Sequence, residues 1–132
     1  MNSRYRLVLL GSVSCMSACA SSAQFSGTVI MGNKSPVTVS LYEVRGLERR
    51  VPSLPSLSPV DQKWALLGPM RAPDTLRIRW SYVEVWAAGG DPNATETVLP
   101  VPRLPDPAGK KAPDLLLTFT SEKRWSAAWS AR

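Results

Sequence analysis

The 132-residue sequence contains no histidine, and its two cysteines, Cys15 and Cys19, both lie near its start. Without imidazole, Ser-His-Asp hydrolysis, Cys-His proteolysis and His-ligated metal chemistry have no residue to work with. Without a thiol beyond position 19, the rest of the chain can form no disulfide, thiolate metal site or cysteine nucleophile. Gly-rich phosphate motifs are missing too, since Gly89-Gly90 stands alone in turn-like surroundings. The ten acidic residues make no D-x-D or E-x-x-E cluster and read as solvated surface charge. No stretch reaches the about 20 apolar residues that a spanning helix requires. These absences predict a protein that is not an enzyme and carries no metal or cofactor.

What is present begins with an export signal. Arg4 and Arg6 supply a positive start, Leu7 to Val13 an apolar stretch, and small residues crowd the point that follows. Met16-Ser17-Ala18-Cys19 resembles a bacterial lipobox, in which an aliphatic residue stands three before an obligatory cysteine. That resemblance makes Cys19 the acylated N-terminus of the mature chain, whereas Cys15 would put Ser12 at the aliphatic position. Ala20 after the cysteine, rather than an aspartate, resembles the signal for sorting to the outer membrane, facing the periplasm. The expected organisation is a signal peptide over 1–18, a lipidated N-terminus and short tether over 19–25, and one β-rich domain over 26–132. Loss of Arg4 and Arg6 leaves 14 basic against 10 acidic residues, about +4, too mild to imply nucleic acid.

The domain reads as mainly β, a small antiparallel sheet or a β-sandwich with long proline-rich loops. Gly27 to Met31 and Val37 to Val44 are β-branched runs flanking Gly32 to Pro36, which predicts a hairpin. Prolines 52, 55, 59, 69 and 73 forbid regular structure over most of 51–73. A short helical turn over Pro59 to Leu67, with Trp64 and Leu67 on one face, is the local candidate there. The same prolines suit either a polyproline ligand or a stiff surface loop.

Thr75 to Trp86 is the strongest strand, with Leu76, Ile78 and Trp80 on one face and Arg77, Arg79 and Ser81 on the other. Val83 and Val85 fall on the opposite parity, so a bulge or a break near Ser81-Tyr82 is expected. Paired arginines beside an exposed aromatic are interface residue types. They equally suit an edge strand blunted by charge. Leu115 to Thr120 and Arg124 to Trp129, joined by Ser121-Glu122-Lys123, predict a closing hairpin with Leu115, Leu117 and Phe119 inward. Trp125 and Trp129, four apart, share a face in either a strand or a helix.

Ser26-Gly27-Thr28-Val29, Asp74 to Trp80, Leu99-Pro100-Val101-Pro102 and Asp114 to Phe119 together resemble a group of small Gram-negative lipoproteins of unknown-function domain type. Members of that group are often encoded beside type VI secreted lipase effectors and act as immunity proteins. The paired-cysteine segment of that group has no counterpart in residues 45 to 70. Ser35 to Glu43 also resembles the first strand of the sandwich lipoprotein that anchors the type VI secretion envelope. The resemblances imply a lipid-anchored protein that binds a secreted lipase effector, or alternatively a structural lipoprotein of a secretion or envelope complex. Trp64, Arg77, Arg79, Tyr82 and Trp86 are the expected partner-binding residues.

Overall fold

In the computed structural model, which describes residues 24–82, 94–105 and 111–130, ten strands form and no helix. The expectations placed on Cys19, Val83, Val85 and Trp86 lie outside the described residues. The strands are β1 (Gln24–Phe25), β2 (Thr28–Asn33), β3 (Val39–Arg45), β4 (Ser56–Leu57), β5 (Gln62–Leu66), β6 (Met70–Arg71), β7 (Thr75–Ser81), β8 (Thr95–Pro100), β9 (Leu115–Phe119) and β10 (Trp125–Trp129). One sheet runs β10-β9-β2-β5, a second β4-β3-β7-β8, and β1 pairs with β6.

Alternation along each strand decides what is buried. Val29, Met31, Leu115, Leu117, Phe119 and Trp125 of the first sheet join Val39, Leu41, Leu57, Leu76, Ile78, Trp80 and Leu99 of the second in a single apolar core. The rings of Trp80 and Phe119 meet across the two layers at 4.8 Å between centroids. This is a β-sandwich, the second of the two architectures the sequence suggested. Each fully buried Leu, Val or Phe contributes about 1.5–3 kcal/mol by leaving water.

Strand direction defines two poles. β2 and β7 start, and β3, β5 and β10 end, at the pole where β1 enters, here the entry pole. Gly27 and Gly68, both at positive φ, bring their backbones together there and let the chain bend from β1 into β2. Ser26 Oγ donates to Asp114 Oδ1 at 2.6 Å, and the Asp114 amide donates to Ser130 Oγ at 2.8 Å. At the opposite, far pole, buried Asn33 holds the layers together. Its Nδ2 donates to the carbonyls of Val37 (2.7 Å) and Leu57 (2.9 Å), and its Oδ1 accepts from Ser35 N and Ser35 Oγ.

Several expectations are corrected. The β2–β3 hairpin does not form: Asn33 and Ser35 turn the chain so that β3 joins the other layer. Both strands thereby bury an apolar face against the opposite sheet instead of lying side by side. Residues 59–67 make a turn and strand β5, not a helical turn. Nine residues are too few for a helix to be stable by itself, whereas the open edge of β2 offers a complete ladder. Parallel pairing of β2 with β9 makes the first sheet mixed rather than antiparallel.

The register shift in the central ladder falls at Tyr42 of β3, between Leu41 and Glu43, while β7 simply ends at Ser81. With β3 on one side and β8 on the other, β7 is a central strand, so the charged-edge account of its arginines does not hold. Gln24 and Phe25, placed in the tether, belong to the fold: Phe25 is fully buried, 5.2 Å from the ring of Trp129. Val51, Leu57 and Met70 are also buried in the core and β4, β5 and β6 lie within 51–73, so this stretch is not the stiff surface loop expected of it.

The closing hairpin forms as expected, with Trp125 opposite Phe119 and Trp129 opposite Leu115. Its three-residue loop ends at Lys123 with φ 61°, the left-handed residue that such loops require.

Candidate partner-binding surfaces

Six large apolar side chains stand out among the described residues: Val37, Val60, Trp64, Leu66, Tyr82 and Val98. Three of them lie between positions 60 and 66. β5 pairs only with β2, so it forms one rim of its sheet. Ala65 turns into the core, which sends Trp64 (59% exposed) and Leu66 (77%) outward on the same face. Across that outer face the register aligns Trp64, Ile30, Leu116 and Ala128, an apolar band running over all four strands. Ile30 is itself buried beneath its neighbours.

Val60 heads this strand at 90% exposure. The Asp61 amide donates to Ser58 carbonyl at 2.9 Å, closing a turn with Pro59 and Val60 at its centre. Val60 has φ 65°, where a type II turn wants glycine or asparagine and a β-branched residue is strained. A residue held in this region costs of order 1–3 kcal/mol and persists only because the surrounding turn imposes it. Val60→Asn should therefore stabilise the domain by about 1 kcal/mol, a rise of about 4–8 °C in melting temperature. A melt that shows no rise would remove the strain argument.

Arg77 and Arg79 project from the outer face of the other sheet. Register places Glu43, Arg79 and Glu96 in one row and Arg45, Arg77 and Val98 in the next. Arg77 Nη1 lies 3.0 Å from Glu96 Oε1, Arg45 Nε lies 3.1 Å from Glu43 Oε1, and the Arg79 guanidinium stands 5.9 Å from the centre of the Tyr42 ring. These exposed pairs add roughly 0–1 kcal/mol each, but they balance the charge within the face.

Tyr82 sits elsewhere again. It packs edge-on to Trp80 at 5.4 Å and lines an open, mostly apolar groove of about 460 Å³ at the far pole with Val37, Thr38, Phe119 and Lys123.

The expected residues thus do not form one site. Arg77 and Arg79 stay together, Trp64 occupies the opposite outer face, and Tyr82 lies at the far pole; Trp86 is outside the described residues. Leu66 and Val60 went unremarked in the sequence because the segment was read with a helical period. Reading Trp64 and Leu66 at a period of two would have found the exposed pair. Among the described residues no group of three or more His, Cys, Asp or Glu side chains is placed to hold a metal ion. Comparison of the chain with protein-family models, with curated proteins and with solved structures finds no match.

Proposed function

We propose that this chain is a lipid-anchored binding protein of the Gram-negative outer membrane, facing the periplasm, that neutralises a type VI secreted phospholipase or lipase effector. The observation that carries the binding role is the β5 rim, where Trp64 and Leu66 are exposed beside a strand paired on one side only. Soluble proteins blunt such a rim with charge, proline or a bulge unless a partner uses it. A partner strand laid along β5 would gain main-chain hydrogen bonds, with the Trp64 and Leu66 side chains supplying specificity. The lipase comes from the resemblance of the four sequence segments, and acylation of Cys19 from the lipobox pattern. An anchor suits the task physically, because it concentrates the binder on the surface the effector must reach.

The test pairs the full-length protein with purified type VI secreted lipase effectors. Stoichiometric inhibition of one such enzyme is the expected result, and Trp64→Asp combined with Leu66→Asp should weaken binding by about 100-fold, the effect of losing a central aromatic anchor. Arg77→Ala with Arg79→Ala should cost less than tenfold, since those side chains are already engaged within their own sheet. Inhibition that survives loss of both Trp64 and Leu66 would move the interface off the β5 rim. A structural role in a secretion or envelope complex is the outcome if the lipase is not bound and components of that complex are.

A further inference from the structure

A second surface follows from the short distance between the acylation site and the first strand. Gln24 already belongs to β1, so only five residue steps separate it from Cys19. Fully extended, five steps reach about 17 Å. A domain of about 100 residues is roughly 34 Å across, twice that reach. The pole where β1 enters is therefore kept within about 17 Å of the bilayer, a limit that does not act on the far pole.

The larger group of basic side chains lies on the same pole. Arg71 lies opposite Gln24 in the β1–β6 pair. Arg49 extends its Nη1 to the carbonyls of Leu67, Gly68 and Pro69 at 2.9–3.1 Å. Arg45 ends β3, and Arg50 lies in the loop that follows. Arg103 follows Pro102, whose carbonyl accepts from Trp129 Nε1, and Lys111 precedes Pro113, whose carbonyl accepts from the Ser26 amide. All six are exposed, and among the described residues the acids beside them that reach solvent are Glu43, which pairs with Arg45 at 3.1 Å, Glu48 and Asp74. At the far pole, among the described residues, Lys34, Lys63, Lys123 and Arg124 stand with Asp61 and Glu122.

We propose that the entry pole is a seat for anionic phospholipid headgroups, with Arg71, Arg103 and Lys111 over the bilayer surface and the far pole turned towards the periplasm. This rests on the lipid-anchor reading of Cys19. Juxtamembrane clusters of Lys and Arg are drawn to anionic lipid within a Debye length of the surface, and the tether keeps this cluster inside that range. Standing this way, the sandwich leaves the far-pole groove and the head of β5 clear of the membrane for a protein partner.

The processed protein carries no other cysteine than Cys19, so a thiol introduced elsewhere is the single site for a fluorophore. Pro69→Cys and Thr75→Cys report the entry pole, and Ser58→Cys and Ser121→Cys the far pole. Each full-length variant, purified with its acyl chains, is placed in vesicles of phosphatidylethanolamine and phosphatidylglycerol containing a headgroup-nitroxide lipid. Loss of most of the fluorescence at the entry pole, with none at the far pole, is expected. That difference should shrink several-fold on pure phosphatidylcholine vesicles, where the tether alone keeps the entry pole near the surface, and in a variant combining Arg71→Glu, Arg103→Glu and Lys111→Glu. The phosphatidylcholine arm uses the unaltered charge set and stands even if that variant fails to fold. Equal quenching at both poles overturns the proposal, and so does entry-pole quenching that is undiminished on phosphatidylcholine. Intact-mass measurement beside a Cys19→Ala control separates the two readings: a missing acyl mass sinks the anchor and the seat with it, whereas an acylated protein with equal quenching sinks the seat alone.

Discussion

Asn33→Ala is expected to destabilise the domain by about 2–4 kcal/mol, although it removes only a few buried atoms. The Asn33 side chain makes four hydrogen bonds in a buried position and joins β2 of one layer to the Val37 and Leu57 carbonyls of the other. After truncation Ser35 Oγ still reaches the Val37 carbonyl at 3.0 Å, but the Leu57 carbonyl and the Ser35 amide lose their side-chain partner. Each buried polar group left unmade costs about 1–3 kcal/mol. A domain with a total stability of about 5–15 kcal/mol would lose a large part of it, seen as a fall of at least about 10 °C in melting temperature. Asn33→Asp should be no better, because a carboxylate would replace the donor and face two carbonyl oxygens. A urea melt placing Asn33→Ala within about 0.5 kcal/mol of the unaltered protein, the size of an ordinary surface substitution, would show that this network does not hold the layers together.

Gly27→Ala should be at least as damaging, by about 3–5 kcal/mol, and is expected to prevent accumulation of folded protein. Gly27 has φ 80°, and a Cβ there would run into the Gly68 carbonyl, which is backbone and cannot swing aside. Movement of that carbonyl would also disturb Arg49, which donates to it at 3.1 Å. The control is Gly32→Ala on the same strand. Its Cβ would meet nothing nearer than 3.9 Å, and its φ lies outside the left-handed range. Gly32→Ala should stay within about 1 kcal/mol of the unaltered protein, the ordinary scale for exchanging these two residues within an element. Equal thermal midpoints for the two variants would remove close approach as the reason for glycine at 27.

The contrast between these two glycines illustrates what can be read from a sequence. Gly27 and Gly32 flank the same β-branched run, and only the partner across the chain distinguishes them. Leu76, Ile78 and Trp80 were legible as a core face because a strand repeats every two residues, and period is a local property. So was the closing hairpin, in which three turn residues separate two runs of matching length. Trp64 was legible as a candidate but its setting was not. An apolar pair at i, i+3 suits a helix, and only the vacant edge of β2 makes the segment extend.

The candidate site was dispersed for a similar reason. Arg77, Arg79, Tyr82 and Trp86 are neighbours along the chain, and Trp64 joins them by residue type alone. Trp64 and Arg77 lie in different layers, however, so their outward faces point to opposite sides of the molecule. Tyr82 follows the last residue of β7 and turns over the end of the core. Sequence distance says which strand a side chain belongs to, and the sheet that recruits the strand says which way it faces.

The amino-acid sequence by itself determined the strand-rich class, the inward faces of β7 and β9, the final hairpin, and the lack of imidazole and of thiols beyond Cys19. Those properties follow from composition and from short-range periodicity. The tertiary structure alone decided that β2 and β3 part into separate layers, that β2 runs parallel to β9, that β7 is central, and that β5 is left as an exposed rim. Each depends on hydrogen bonds between residues far apart in the chain, for which every β-branched run is a comparable partner. The choice among them is made by the packing of the whole core and by a few buried polar groups such as Asn33.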